Sequence, residues 1–138
     1  MKVLDLPYSK KIGIKQSKVT DYMLQLDYNE YILNHIQTVH ASASYSLAET
    51  TSGYFLQVNF TEIAAQTIPI LRSSCVKYKR GGEGIIYSNA KLVGTNVKEL
   101  QTLLVAKRKA IFTIQVKLYN EQKELVMTGD FEWFVSMK

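Results

Sequence analysis

Between residues 112 and 135 the chain alternates apolar and polar residues with a period of two, and no other feature restricts its fold so sharply. Phe112, Ile114, Val116 and Leu118 are interleaved with Thr113, Gln115 and Lys117. Successive side chains of a strand point to opposite faces, so this run predicts a strand with one face buried. Polar residues from Asn120 to Lys123 follow, and then Leu125, Met127, Phe131, Trp133 and Val135 resume the alternation. The two runs are expected to pair as an antiparallel hairpin, with Gly129 marking a bend or bulge.

Upstream, Ile70 to Arg80 and Gly84 to Val93 predict a second strand pair, in which Gly81 and Gly82 supply the positive φ of a tight turn. These glycines are not read as a phosphate loop, because no Gly-Lys-Ser/Thr sequence leads from them into a helix. Tyr22, Leu24, Leu26 and Tyr28 also alternate and predict a first strand. From Ala41 to Val58 the spacing changes: Ala43, Leu47, Tyr54 and Val58, widened by Ala48, Thr51 and Phe55, share one helical stripe. At 1.5 Å per residue this helix would span about 27 Å. The small residues Ala41, Ala43, Ala48 and Gly53 let a sheet lie close against it. A shorter helix is expected from Val97 to about Ala106, capped by Asn96, with Val97, Leu100 and Leu104 on one face. Strand, long helix, then four antiparallel strands with a helix inserted is an α+β order.

Neither a repeat nor a Pro/Gly-rich linker divides the 138 residues, so one domain over 1–138 is expected. Hydrophobic residues at 46% and charged residues at 21% place the chain among ordinary globular proteins. No apolar run reaches the roughly 18 residues that span a bilayer. Asp5 and Pro7 interrupt the amino terminus where a signal peptide would be continuously apolar, so a cytoplasmic protein without membrane contact is expected. Cys75 is the only cysteine, which excludes an intrachain disulfide and a cysteine-based zinc site within one chain. It is expected to be a small buried residue of a strand, since neither His35 nor His40 shows a signature pairing it with Cys75. The net charge of +5 invites a nucleic-acid partner. However, the basic residues fall into separate clusters: Lys10 and Lys11; Lys77, Lys79 and Arg80; and Lys107, Arg108 and Lys109. None carries a nucleic-acid motif, so a solvated face or a small anionic ligand fits better.

Residues Asn34 to Glu49 read NHIQTVHASASYSLAE. An Asn six residues before a His, small residues directly after it and an acid nine residues beyond it resemble the hotdog-fold acyl-CoA thioesterases of the phenylacetate-pathway type. Asn34, His40 and Glu49 occupy those positions. The resemblance runs from about Tyr22 to Trp133 and leaves residues 1–20 as an extension outside it. It implies a hotdog fold, an antiparallel sheet wrapped around a long central helix, assembled as a homodimer or a dimer of dimers. It also implies an acyl-CoA or acyl-carrier-protein thioester as substrate, with no metal and no cofactor beyond the coenzyme A of the substrate. In the family the His end and the acid of one site come from different subunits.

The residue types suit that chemistry. Thioester hydrolysis develops an oxyanion, and a helix amino terminus offers unpaired N–H groups with partial positive charge, here near Ala41 and Ser42. Glu49 can act as general base on water or as nucleophile. Asn34 can orient water or the thioester, and His40 can fix the loop or polarise the carbonyl. Thr50, Thr51 and Ser52 follow Glu49 and offer hydroxyls, although mid-helix Ser and Thr commonly bond back to their own helix. Each of these residues also has a plain structural role: a solvated helix face for Glu49, capping and loop hydrogen bonds for His40 and Asn34. Lys77, Lys79, Arg80, Lys107, Arg108 and Lys109 are candidates for the coenzyme A phosphates. Many family members carry two glycines where this chain has Ala41 and Ser42, which bears on acyl preference and leaves a non-catalytic acyl-thioester-binding module as the second expectation.

Overall fold

The computed structural model describes residues 2–138. Its strands are β1 (Ile14–Gln16), β2 (Leu24–Leu26), β3 (Thr67–Tyr78), β4 (Ile86–Leu92), β5 (Lys109–Tyr119) and β6 (Leu125–Met137). Its helices are α1 (Pro7–Ile12), α2 (Ala41–Asn59), α3 (Thr61–Ala64) and α4 (Val97–Lys107), with 3-10 turns at Val3–Asp5 and Glu30–Ile32. The strands form one antiparallel sheet in the order β1-β2-β4-β5-β6-β3.

The expected hairpin is present as β5 and β6. Phe112 pairs with Trp133, Ile114 with Phe131, Val116 with Gly129 and Leu118 with Met127, so the inward series of both strands forms one continuous buried surface. Fully burying a side chain of this size contributes about 1.5–3 kcal/mol. The bulge expected at Gly129 is absent: the register passes through it on both sides, and the irregularities fall at Leu71/Ser73 and Leu118/Tyr119. Glycine is required there for space instead. A Cβ at Gly129 would stand 2.9 Å from both the Phe131 ring and a Val76 methyl.

The second expected strand pair does not form. β4 lies inside the sheet between β2 and β5, whereas β3 crosses to the far edge and pairs with β6 from Thr67↔Met137 to Tyr78↔Met127. Length explains the choice: β3 has 12 residues and β6 has 13, whereas β4 has seven, so β6 satisfies far more of the backbone of β3. Gly81 and Gly82 therefore make no hairpin turn, and neither has the positive φ expected of it; in this loop Gly84 does, at 66°. As an edge strand β3 is largely exposed, and Cys75, expected to be buried, is exposed on it opposite Asp130.

The long helix α2 buries Ala43, Ser44, Leu47, Ala48, Thr50, Thr51, Ser52 and Leu56. It packs chiefly on β4 and β5. Tyr54 and Phe55 are half-buried, and Val58, expected on the buried stripe, is exposed. Two hydroxyls of the buried face are bonded within the protein. Thr51 Oγ1 donates to the Leu47 carbonyl and lies 2.6 Å from Ser88 Oγ, while Ser52 Oγ accepts from Trp133 Nε1 at 3.0 Å and donates to the Glu49 carbonyl. α4 matches its expectation, with the Asn96 side chain accepting from Glu99 N–H and Leu100 and Leu104 buried.

The amino-terminal residues form elements that periodicity did not show. β1 pairs with the short β2, and the segment before it packs against α2. Val3 N–H donates to Gln57 Oε1 at 2.9 Å, and Tyr8 Oη is 2.7 Å from Ser46 Oγ. No helix among the described residues is long and apolar enough to cross a membrane.

Candidate functional site

The loop leading into α2 is held by its own backbone and by Asn34. Asn34 Oδ1 accepts from Ile36 N–H and Thr38 N–H, its Nδ2 donates to Thr38 Oγ1, and its backbone N–H donates to the Thr38 carbonyl. The left-handed φ of Gln37, 62°, closes this turn. Val39 N–H then bonds the Gly82 carbonyl, and His40 N–H bonds the Ile32 carbonyl at 2.7 Å. These contacts place His40 at the N-cap of α2, where its Nδ1 accepts from Ser42 N–H at 3.0 Å. A ring accepting at Nδ1 carries its proton at Nε2 when neutral, so exposed His40 has a donor to offer.

Ser42 N–H is thus engaged. Ala41 N–H, by contrast, has no acceptor among the described residues. It is the unpaired donor at the positive end of the helix. Two tyrosines that no motif in the sequence singles out border the same end. Tyr78 on β3 donates to the Ala41 carbonyl at 3.3 Å, and Tyr45 lies 2.8 Å from Ser74 Oγ, also on β3. Burial raises the Tyr78 pKa, with the nearby Tyr45 adding to it, so the phenol stays a neutral donor. Tyr78 reaches the helix only because β3 pairs with β6 rather than β4, and local spacing carries no signal of that.

Glu49 lies half-buried, two turns into α2. Its carboxylate has no hydrogen-bond or ion-pair partner among the described residues, and burial holds its pKa above the usual carboxylate range. Thr51 and Ser52 direct their hydroxyls to the helix backbone and the sheet, so neither serves Glu49's carboxylate. His40 precedes Glu49 by nine residues, or about 13 Å along a helix axis, so one chain does not bring them together.

The basic clusters are also separated. Lys77, Lys79 and Arg80 flank Tyr78 beside the start of α2, with Arg80 paired to Glu124. Lys107, Arg108 and Lys109 lie where Lys109 pairs with Ser136, nine residues along β6 from the Met127 partner of Tyr78. That is about 30 Å of strand. His35 is exposed, and among the described residues no three His, Cys, Asp or Glu side chains gather as metal ligands.

The profile of a family described as a domain of unknown function, DUF4442, matches residues 2–135. No curated protein matches the chain. Solved structures do. A Pseudomonas aeruginosa protein described as of unknown function and a probable thioesterase is 22% identical, with a TM-score of 0.82 over 99% of this chain and 91% of its own. A single-residue variant of a Staphylococcus aureus thioesterase enzyme is 12% identical, with a TM-score of 0.69 over 95% of this chain and 99% of its own. A Bacillus halodurans protein solved with CoA is 17% identical, with a TM-score of 0.60 over 81% of this chain and 65% of its own. Together with the six-stranded antiparallel sheet packed on α2, these likenesses establish the hotdog fold.

Proposed function

The chain belongs to the DUF4442 family, and from that footing and its hotdog fold we propose that it hydrolyses acyl-CoA thioesters as a homodimer, with Glu49 activating water. The observation that carries this reading is the half-buried Glu49 carboxylate, which no cation or donor among the described residues engages. A carboxylate committed to structure would have such a partner; one kept free and poorly solvated is a stronger base. Structural relatives described as thioesterases, and one solved with CoA, support the substrate class.

In this mechanism Glu49 takes a proton from water as its oxygen attacks the thioester carbonyl carbon. Negative charge moves to the carbonyl oxygen, which the Ala41 N–H and the Nε2–H of His40 stabilise. The intermediate collapses, the C–S bond breaks, and the proton on Glu49 passes to the departing coenzyme A sulfur. Asn34 acts through the loop that positions His40. The separation of His40 and Glu49 within one chain makes a second subunit the natural source of the opposing half. β3 offers the surface for it: a 12-residue edge strand with exposed Ile68 and Ile70. Lys77, Lys79 and Arg80 hold the coenzyme A phosphates at this end of the fold. An acyl-carrier-protein thioester would meet the same groups through its phosphopantetheine arm.

A second reading, a binding module without turnover, is favoured by the engagement of Ser42 N–H with His40, which removes one potential oxyanion donor. Incubating the protein with short, long and aromatic acyl-CoAs and measuring released thiol separates the two. Release supports hydrolysis. Thermal stabilisation by acyl-CoA without release supports the binding module.

A further inference from the structure

The side of α2 that carries Glu49 continues, one and two turns further on, into a cavity of about 310 Å³ at the carboxy-terminal end of the helix. Gly53 and Leu56, four and seven residues beyond Glu49, share its helix face and line the cavity. Phe60, Phe112 and Val135 complete its inner wall, and Val3 of the amino-terminal segment borders it near Gly53. The wall has polar members, but each is already bonded to backbone. Gln57 Oε1 accepts from Val3 N–H, Thr67 Oγ1 donates to the Ala64 carbonyl, and Lys138 Nζ donates to the Ala65 carbonyl. A cavity so lined offers apolar contact and few free polar groups, which selects an apolar occupant.

Resting on the thioesterase reading, we infer that this cavity receives the distal part of a straight aliphatic acyl chain whose thioester lies at Glu49, and that Gly53 sets how long that chain can be. An engineered cavity of about 150 Å³ holds the six carbons of benzene, so 310 Å³ has room for roughly twelve carbons of the distal chain. Gly53 stands where the chain must pass from Glu49 into the cavity. A Cβ there would sit 3.8 Å from both the Trp133 ring and Val3, in ordinary contact, so the further atoms of a larger side chain take up room in the passage. Ile63 on α3 lines the cavity from another side and provides an independent way to fill it.

The test measures kcat/KM for straight saturated acyl-CoAs of four to sixteen carbons with the native chain, Gly53→Leu and Ile63→Trp. Circular dichroism and thermal melting confirm that each variant is folded. The native profile is expected to peak between twelve and sixteen carbons, and either folded variant to lower the dodecanoyl-to-butyryl ratio at least tenfold. A ratio unchanged in both folded variants overturns the inference while leaving the thioesterase reading intact. If no acyl-CoA is hydrolysed, that reading fails by itself, and calorimetric titration with dodecanoate then tests the cavity. Binding weakened at least tenfold by Gly53→Leu supports an aliphatic-chain site, and no binding to the native chain overturns it.

Discussion

At the scale of the residue, Glu49 is a carboxylate whose ionisation works against the fold. Burial raises its pKa above the unfolded value, so between the two values the unfolded chain is ionised first and binds fewer protons. Stability linked to this group is fully present below the unfolded pKa and is lost as pH rises through the folded one. Glu49→Gln removes that loss: its Tm should exceed the native value at pH 7, and the gap should narrow as pH falls to 4. A native chain more stable than the variant at pH 7 would mean that Glu49 has a stabilising partner. Of the candidate site, the helix start and the place of the acid on that helix were legible at this scale in the run from Asn34 to Glu49. Which donors are free was not, because the capture of Ser42 N–H by His40 depends on a side-chain rotamer that no spacing encodes.

At the scale of the element, two glycines in regular structure have opposite reasons for being glycine. Gly53 lies within α2, where Ala is favoured over Gly by about 1 kcal/mol and a Cβ meets only ordinary contacts. Gly129 lies within β6, where a Cβ would press on Phe131 and Val76. Gly53→Ala is expected to raise stability by about 0.5–1 kcal/mol. Gly129→Ala is expected to lower it by about 1–3 kcal/mol, as overpacking does. Urea unfolding of both variants checks the pair, and shifts of the same sign would contradict the packing described. The β5–β6 hairpin and both principal helices were legible because their apolar periods are long and regular. The partner of β3 was not: adjacency in sequence pointed to β4, whereas matching strand length, a property of the whole sheet, selects β6. β1, only three residues long, is too short for any period to show.

At the scale of the whole molecule, the proposal that each chain contributes half of a shared site rests on the exposed edge of β3 and on the distance between His40 and Glu49. Sedimentation equilibrium should give twice the chain mass, and specific activity should fall when dilution separates the subunits. A fully active monomer would remove the shared-site account. The proposal that Lys77, Lys79 and Arg80 hold the coenzyme A phosphates predicts that acyl-CoA binding weakens as ionic strength rises, since exposed charges are screened within about 10 Å at 0.1 M salt. The most direct measurement compares thiol release from acyl-CoAs by the native chain and by folded Glu49→Gln. Hydrolysis by the native chain that falls at least a hundredfold in the variant, with substrate binding retained, is the result expected of a catalytic carboxylate. Equal turnover by both proteins would contradict the central role of Glu49.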